Sequence, residues 1–60
     1  MPSDETRRIL KVFGVAVTNL EDAIDQKKPF EEIMKWDAEL AARTREVLAL
    51  VDRLRSRRIA

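Results

Sequence analysis

The residues best able to do chemistry in this chain are carboxylates and arginines, because its 60 residues include no cysteine, histidine or tyrosine. Acidic side chains gather on both sides of Lys27-Lys28-Pro29, and carboxylate clusters in helical bundles can bind magnesium for nucleotide chemistry. They are Asp22, Asp25, Glu31, Glu32 and Asp37. These residues fall on the polar side of the helical patterns described below, which favours a solvated acidic surface over a metal or nucleotide site.

Arginines are concentrated towards the two ends of the chain. They are Arg7, Arg8, Arg53, Arg55, Arg57 and Arg58. Such a group could contact phosphates in a salt-sensitive way, although arginines in the last turn of a helix also complement its dipole. The formal net charge is only +1, which argues against nonspecific nucleic-acid binding by the whole surface.

No catalytic constellation is present in the sequence. There is no nucleophile paired with a base, and the single glycine, Gly14, makes no phosphate-binding loop. We therefore expect a non-enzymatic protein without cofactor or bound metal. Disulfides and zinc are excluded as stabilising links, and a chain of this length buries only about 60% of its unfolded surface when it folds alone. Oligomerisation is the stabilising mechanism that remains.

The first amphipathic pattern predicts a helix from about residue 4 to about residue 26. Ser3 or Asp4 begins it, because their side chains accept hydrogen bonds from free backbone N–H groups. Apolar residues then follow the three-four spacing that is typical of the inner seam of a bundle. They are Leu10, Phe13, Val17, Leu20 and Ile24. Ile9, Ala16 and Ala23 widen this apolar arc to roughly 160°.

Pro29 ends the first pattern, because proline disfavours the helical conformation of the preceding residue and lacks an N–H group. A second helix is predicted from about residue 30 to about residue 58, with a single kinked helix as the competing interpretation. Its central line is Ile33, Leu40, Val47 and Leu54, flanked on one side by Trp36 and Leu50 and on the other by Phe30, Ala41, Leu48 and Val51. This arc also exceeds roughly 160°, which is more than one antiparallel neighbour covers.

The turn at about residues 27–29 is short, so the sequence predicts a single all-α domain, an antiparallel helical hairpin. The surplus apolar surface predicts that two hairpins assemble as a homodimeric four-helix bundle. The predicted interface consists of Leu10, Phe13, Val17, Leu20, Ile24, Ile33, Trp36, Leu40, Val47, Leu50, Val51 and Leu54. A row of small residues on the outer side of the second helix, Ala38, Ala42 and Ala49 beside Met34, would admit a further helix and so a tetramer.

Charge is sorted along the predicted hairpin. Residues 1–14 and 46–60, at the open end, carry seven basic and four acidic side chains, a net charge of +3. Residues 15–45 carry five basic and seven acidic side chains, a net charge of −2. An antiparallel two-fold dimer, with its turns at opposite ends, brings unlike charges together. We therefore expect that orientation.

These features predict an assembly or adaptor module, or an accessory subunit that docks on a larger protein. The alternative is a small nucleic-acid-binding regulator that uses the arginines; its two-hairpin architecture resembles that of the plasmid copy-number regulator Rop, which binds paired RNA loops, without a shared sequence motif. A carboxylate site at the turn is the third interpretation. The longest apolar run, residues 47–51, is far short of the roughly 20 residues of a membrane span. With the polar start at Ser3, it predicts a cytoplasmic protein.

Overall fold

A computed structural model describes residues 3–59 of the chain, and the side chains of residues 3–58. These residues form two helices and no strand, with α1 spanning Asp4–Asp25 and α2 spanning Phe30–Ile59. The chain reverses direction between them, which confirms the helical hairpin and excludes the single kinked helix. The helix bounds lie within one residue of those expected from the sequence.

The start of α1 is capped by Ser3, as the sequence predicts. Its Oγ accepts a hydrogen bond of 3.1 Å from the backbone N–H of Thr6, and its carbonyl oxygen accepts one from the N–H of Arg7. Asp4 and Glu5 occupy the first turn, where the helix dipole favours negative charge. The N-terminus of α1 is therefore fixed by local interactions.

The turn caps the C-terminus of α1 with Lys27, which has a left-handed backbone conformation, and with Lys28 after it. Lys27 has a φ of 55°, and its N–H donates to the carbonyl of Ile24 while the N–H of Lys28 donates to that of Ala23. This pair of bonds satisfies two of the free carbonyls in the last turn of α1. The carbonyl of Pro29 accepts bonds from the N–H groups of the third and fourth residues after it, Glu32 and Ile33. Pro29 is thus the N-cap of α2, one position before the first helical residue.

The contact between the two helices lies along a different row from the one that the sequence predicts. Ile9, Ala16 and Ala23 are the buried residues of α1, whereas Leu10, Val17 and Ile24, expected to form the inner stripe, are exposed. In α2, Leu50 is buried, and Arg43 and Trp36, seven and fourteen residues before it, are half-buried. Of the expected central line of α2, Ile33, Leu40 and Val47 are half-buried like Trp36 and Arg43, whereas Leu54 is exposed. Each apolar arc is wider than its neighbour, and the hairpin uses the edge where two alanines allow close backbone approach.

The molecule is a thin rod of 47 × 18 × 13 Å with a radius of gyration of 14.2 Å. A compact 60-residue domain has a radius of gyration of about 10 Å, and a compact 120-residue domain one of about 14 Å. The length of the rod is that of α2, whose last residues extend past the start of α1. Doubling the rod in thickness would give ordinary globular proportions.

Candidate interaction surface

The two broad sides of the hairpin differ in composition, and an ion pair at the open end tells them apart. Arg53 of α2 forms an ion pair with Glu5 of α1, so these two residues lie on the same side. We call this side the charged face. With roughly 100° of rotation per residue, Arg43, Glu39 and Glu46 fall on or beside it.

Ion pairs within the chain lie on or beside the charged face. Arg43 bridges two carboxylates along α2, with its Nε 3.0 Å from Oε1 of Glu39 and its Nη1 bonded to Glu46. Partial burial lowers the pKa of Arg43, but the two neighbouring carboxylates raise it more, so its pKa lies above the ordinary value for arginine. Arg43, Glu39 and Glu46 thus have partners within the hairpin.

The opposite side is the apolar face. In α1, the row Leu10, Val17 and Ile24 lies about 80° to 100° from the buried Ile9 row, on the side away from Glu5. In α2, the residues on the side away from Arg53 are also mainly apolar. They are Phe30, Ile33, Leu40, Leu48 and Val51. Because Glu5 and Arg53 share one face, these two sets share the other.

The apolar face is largely uncovered. Leu10, Val17 and Ile24 are 50%, 40% and 53% exposed, and Phe30 and Leu48 are 73% and 59% exposed. The accessible surface of the chain is 4963 Å², whereas a folded monomer of this mass has about 4,000 Å². The surplus of roughly 900 Å² is close to the ~800 Å² that each partner buries in a standard protein interface.

The predicted interface residues divide into three groups in the structure. Leu50 is buried inside the hairpin, so the isolated chain already uses it. Leu10, Val17, Ile24 and Leu54 are exposed. The remaining residues, Phe13, Leu20, Ile33, Trp36, Leu40, Val47 and Val51, are half-buried. Leu54 lies at the open end, where α2 extends beyond α1.

The predicted interface did not include Phe30 and Leu48, which the sequence places on the flank of the second apolar line and which are the most exposed large apolar side chains among residues 3–58. They are eighteen residues apart, which is five full turns of helix and puts them on one side of α2. That spacing is the signal that could have identified them. Near the same end, Trp36 is half-buried, and Nζ of Lys35 lies 5.2 Å from the centroid of its ring.

The arginines are gathered at the open end, but they do not form one surface. Arg53 is paired with Glu5, whereas Arg7, Arg8, Arg55, Arg57 and Arg58 are exposed. At roughly 100° per residue, Arg55 and Arg58 lie within about 60° of each other around α2, whereas Arg57 lies about 100° or more from both. A phosphate backbone lying along one side of the hairpin would meet only part of this set.

The acidic residues near the turn are exposed and form no ion site. Asp22, Asp25, Glu31, Glu32 and Asp37 are all exposed, and within residues 3–59 no three carboxylates come together as ligands for a metal ion. In the same part of the chain, neither helix combines the length and the apolar character that crossing a membrane requires.

No family model matches the chain, and neither the curated proteins nor the solved structures include a significant match to it.

Proposed function

We propose that this protein is a non-enzymatic assembly module that pairs with a second copy of itself through the apolar face, giving a four-helix bundle. The single observation that carries the proposal is the row of exposed large apolar residues on one side of the hairpin, opposite the side that carries the Glu5–Arg53 ion pair. Burying one such leucine or isoleucine contributes about 1.5–3 kcal/mol. An exposed ion pair contributes about 0–1 kcal/mol, so apolar burial is the larger driving force.

The thin core supports the same proposal. Among the described side chains, the buried ones are Ile9, Ala16, Ala23 and Leu50, two of which are alanines. Conformational entropy costs about 1.5 kcal/mol for each ordered residue. A core of this size offsets little of that cost, and association supplies additional burial. The bundle would then serve as a cytoplasmic adaptor or as the accessory subunit of a larger protein, and its outer alanines would permit further stacking into a tetramer.

Two valines in α1 provide a matched test. Val17 lies on the apolar face, and Val15 lies on the opposite side of α1, about 160° from it around the helix. Their exposed fractions are similar, 40% and 52%. Val17→Asp should weaken dimerisation by a factor of at least about 100, since a carboxylate would be buried without a partner. Val15→Asp should leave the dissociation constant within about threefold, because a surface change away from the interface has a small effect.

Sedimentation equilibrium over a range of chain concentrations measures both variants. Both replace the same residue type within one helix, so their effects on helix propensity are alike and any difference reports the face. A wild-type chain that stays monomeric and helical at millimolar concentration would overturn the proposal. Equal dimerisation of the two variants would also overturn it.

The two alternative functions have weaker support. The exposed arginines would allow an RNA- or DNA-binding regulator, but they are spread around the end of α2. A carboxylate metal or nucleotide site lacks a cluster of three acidic groups among residues 3–59. A salt-sensitive shift of a labelled RNA that disappears when Arg55, Arg57 and Arg58 are neutralised would favour nucleic-acid binding over assembly alone.

A further inference from the structure

We propose that four charged side chains bordering the apolar face form a self-complementary code that makes a second, antiparallel copy of this chain the preferred partner. The pairs are Arg7 with Glu21 of the partner subunit and Asp37 with Arg55 of the partner subunit. This inference rests on the proposed dimer and adds its orientation and the residues that select it.

The positions of these residues follow from helix geometry. Asp37 and Arg55 are eighteen residues apart and therefore share one side of α2, the side that also carries Phe30 and Leu48. Arg7 and Glu21 are fourteen residues apart and follow the outer border of the Leu10 and Val17 row. All four side chains are exposed, and no ion pair is formed by any of them within the hairpin as described.

The Glu5–Arg53 ion pair shows which residues of the two helices lie at the same height along the length of the rod. Both helices rise about 1.5 Å per residue in opposite directions, so residues whose numbers add to about 58 lie level. Glu21 is therefore level with Asp37, towards the turn. Arg7 and Arg55 both lie near the open end. The apolar face thus carries two acidic groups at one end and two basic groups at the other.

An antiparallel two-fold axis pairs these groups with opposite charge. Two hairpins that meet face to face with their turns at opposite ends place α1 against α1 and α2 against α2. The midpoint of Arg7 and Glu21 is residue 14, and the midpoint of Asp37 and Arg55 is residue 46. Residue 14 is level with residue 44, so the two midpoints differ by only about 3 Å in height. One axis therefore satisfies both pairs.

The same axis uses the whole rod. It crosses near the middle of the 47 Å length, so the two copies overlap almost completely. The exposed Leu54 at the open end of one copy then lies near the level of Ile24 of the partner subunit. The apolar residues left over at each end of the hairpin would cover one another.

The parallel arrangement, with both turns at one end, places like charges together. There α1 faces α2 of the partner subunit at the same height, so Glu21 meets Asp37 of the partner subunit and Arg7 lies near its Arg55. Like charges in contact disfavour a partner. The four residues therefore discriminate between two dimers that would bury the same apolar face.

Charge reversal at Glu21 tests the code, because the two orientations give effects of opposite sign. In the antiparallel dimer, Glu21→Arg should weaken dimerisation about tenfold at low salt, since two symmetric attractions become repulsions. The effect should shrink at 1 M salt, where the screening length is about 3 Å. Combining it with Arg7→Glu should restore the wild-type dissociation constant. In a parallel dimer, Glu21→Arg would instead strengthen association, which would overturn the inference.

Asp22→Arg is the matched control, because it makes the same change in net charge on the neighbouring residue, which lies on the outer side of α1. It should leave the dissociation constant within about threefold. Equal effects of Asp22→Arg and Glu21→Arg would also overturn the code. A wild-type chain that does not dimerise at all would refute the proposed function instead, so the two failures are distinguishable.

Cysteine cross-linking gives a second readout of orientation, and the chain has no cysteine of its own. Gly14→Cys lies at the predicted midpoint between the two α1 helices, in open space within the isolated hairpin. On oxidation it should form a disulfide-linked dimer, whereas Val15→Cys on the outer side should not. Cross-linking of both variants or of neither would contradict the predicted axis.

Discussion

The charged face of the hairpin carries ion pairs formed within the chain, whereas the apolar face exposes large apolar side chains. On the charged face, Arg43 is held between Glu39 and Glu46, and Arg53 is held by Glu5. These groups need no other molecule. On the apolar face, Leu10, Val17 and Ile24 are about half exposed and contact no second layer. The difference shows which side of a two-helix unit is complete.

The free energies of ion-pair desolvation and of apolar burial favour assembly through the apolar face only. Breaking the surface ion pairs to bury the charged face would cost their desolvation and return little, since each contributes about 0–1 kcal/mol. Burial of the apolar face removes about 25 cal/mol per Å² of apolar area from contact with water. Association through the apolar face therefore retains the ion pairs and adds hydrophobic burial.

The largest effect expected within the hairpin itself comes from filling the contact between the helices. Ala16 is 2% exposed, so Ala16→Leu would force α1 away from α2. We expect a loss of about 1–3 kcal/mol in the free energy of unfolding, measured by urea denaturation at a fixed chain concentration. Unfolding and association are linked, so concentration must be held constant.

Ala49→Leu is the control for this substitution. Ala49 is exposed on the outer side of α2, so the same change should alter the unfolding free energy by no more than about 0.5 kcal/mol. If Ala16→Leu were as stable as the wild type, the helix contact would not follow the Ile9 row. The assignment of the apolar face would then be wrong as well.

The sequence predicted the two helices, their bounds and the hairpin, because apolar spacing, the Ser3 cap and Pro29 are local signals. It did not predict which edge of each apolar arc meets the other helix. An arc of roughly 160° can pack through either edge, and the choice depends on how closely the backbones approach. Ala16 and Ala23 offer that approach, but their role is visible only when the opposite helix is in place.

The same reasoning applies to the candidate interface. Leu10 and Val17 belonged to the predicted set, yet they were assigned to an inner stripe that the hairpin leaves open. The ion pair of Glu5 with Arg53 joins residues far apart in sequence, and no periodicity in the sequence predicts it. This pair is what identifies the two faces. The identity of the faces therefore required tertiary structure.

A smaller effect is expected at the turn, which holds both faces in register without belonging to either. Lys27 adopts a φ of 55°, a conformation that costs a residue with a Cβ atom roughly 1 kcal/mol. Lys27→Gly removes this strain but adds entropy to the unfolded chain, so the free energy of unfolding should rise by up to about 1 kcal/mol, and the midpoint of thermal unfolding at fixed concentration should rise. Lys28→Gly is the matched control and should lower stability by about 0.5–1 kcal/mol, because glycine adds entropy to the unfolded chain. A gain from both changes would show that left-handed strain is not the cause.

The smallest effect concerns the ion pair that closes the charged face. A double-mutant cycle of Glu5→Gln and Arg53→Gln should give a coupling energy of about 0.2–1 kcal/mol that falls as salt is added. Because both residues lie away from the apolar face, neither change should alter the dimer dissociation constant by more than about threefold. This separates the pair from Glu21, whose reversal should weaken the dimer about tenfold. If Glu5→Gln weakened the dimer as much as Glu21→Arg does, the face that carries Glu5 would be part of the interface, and the distinction between a closed and an open face would fail.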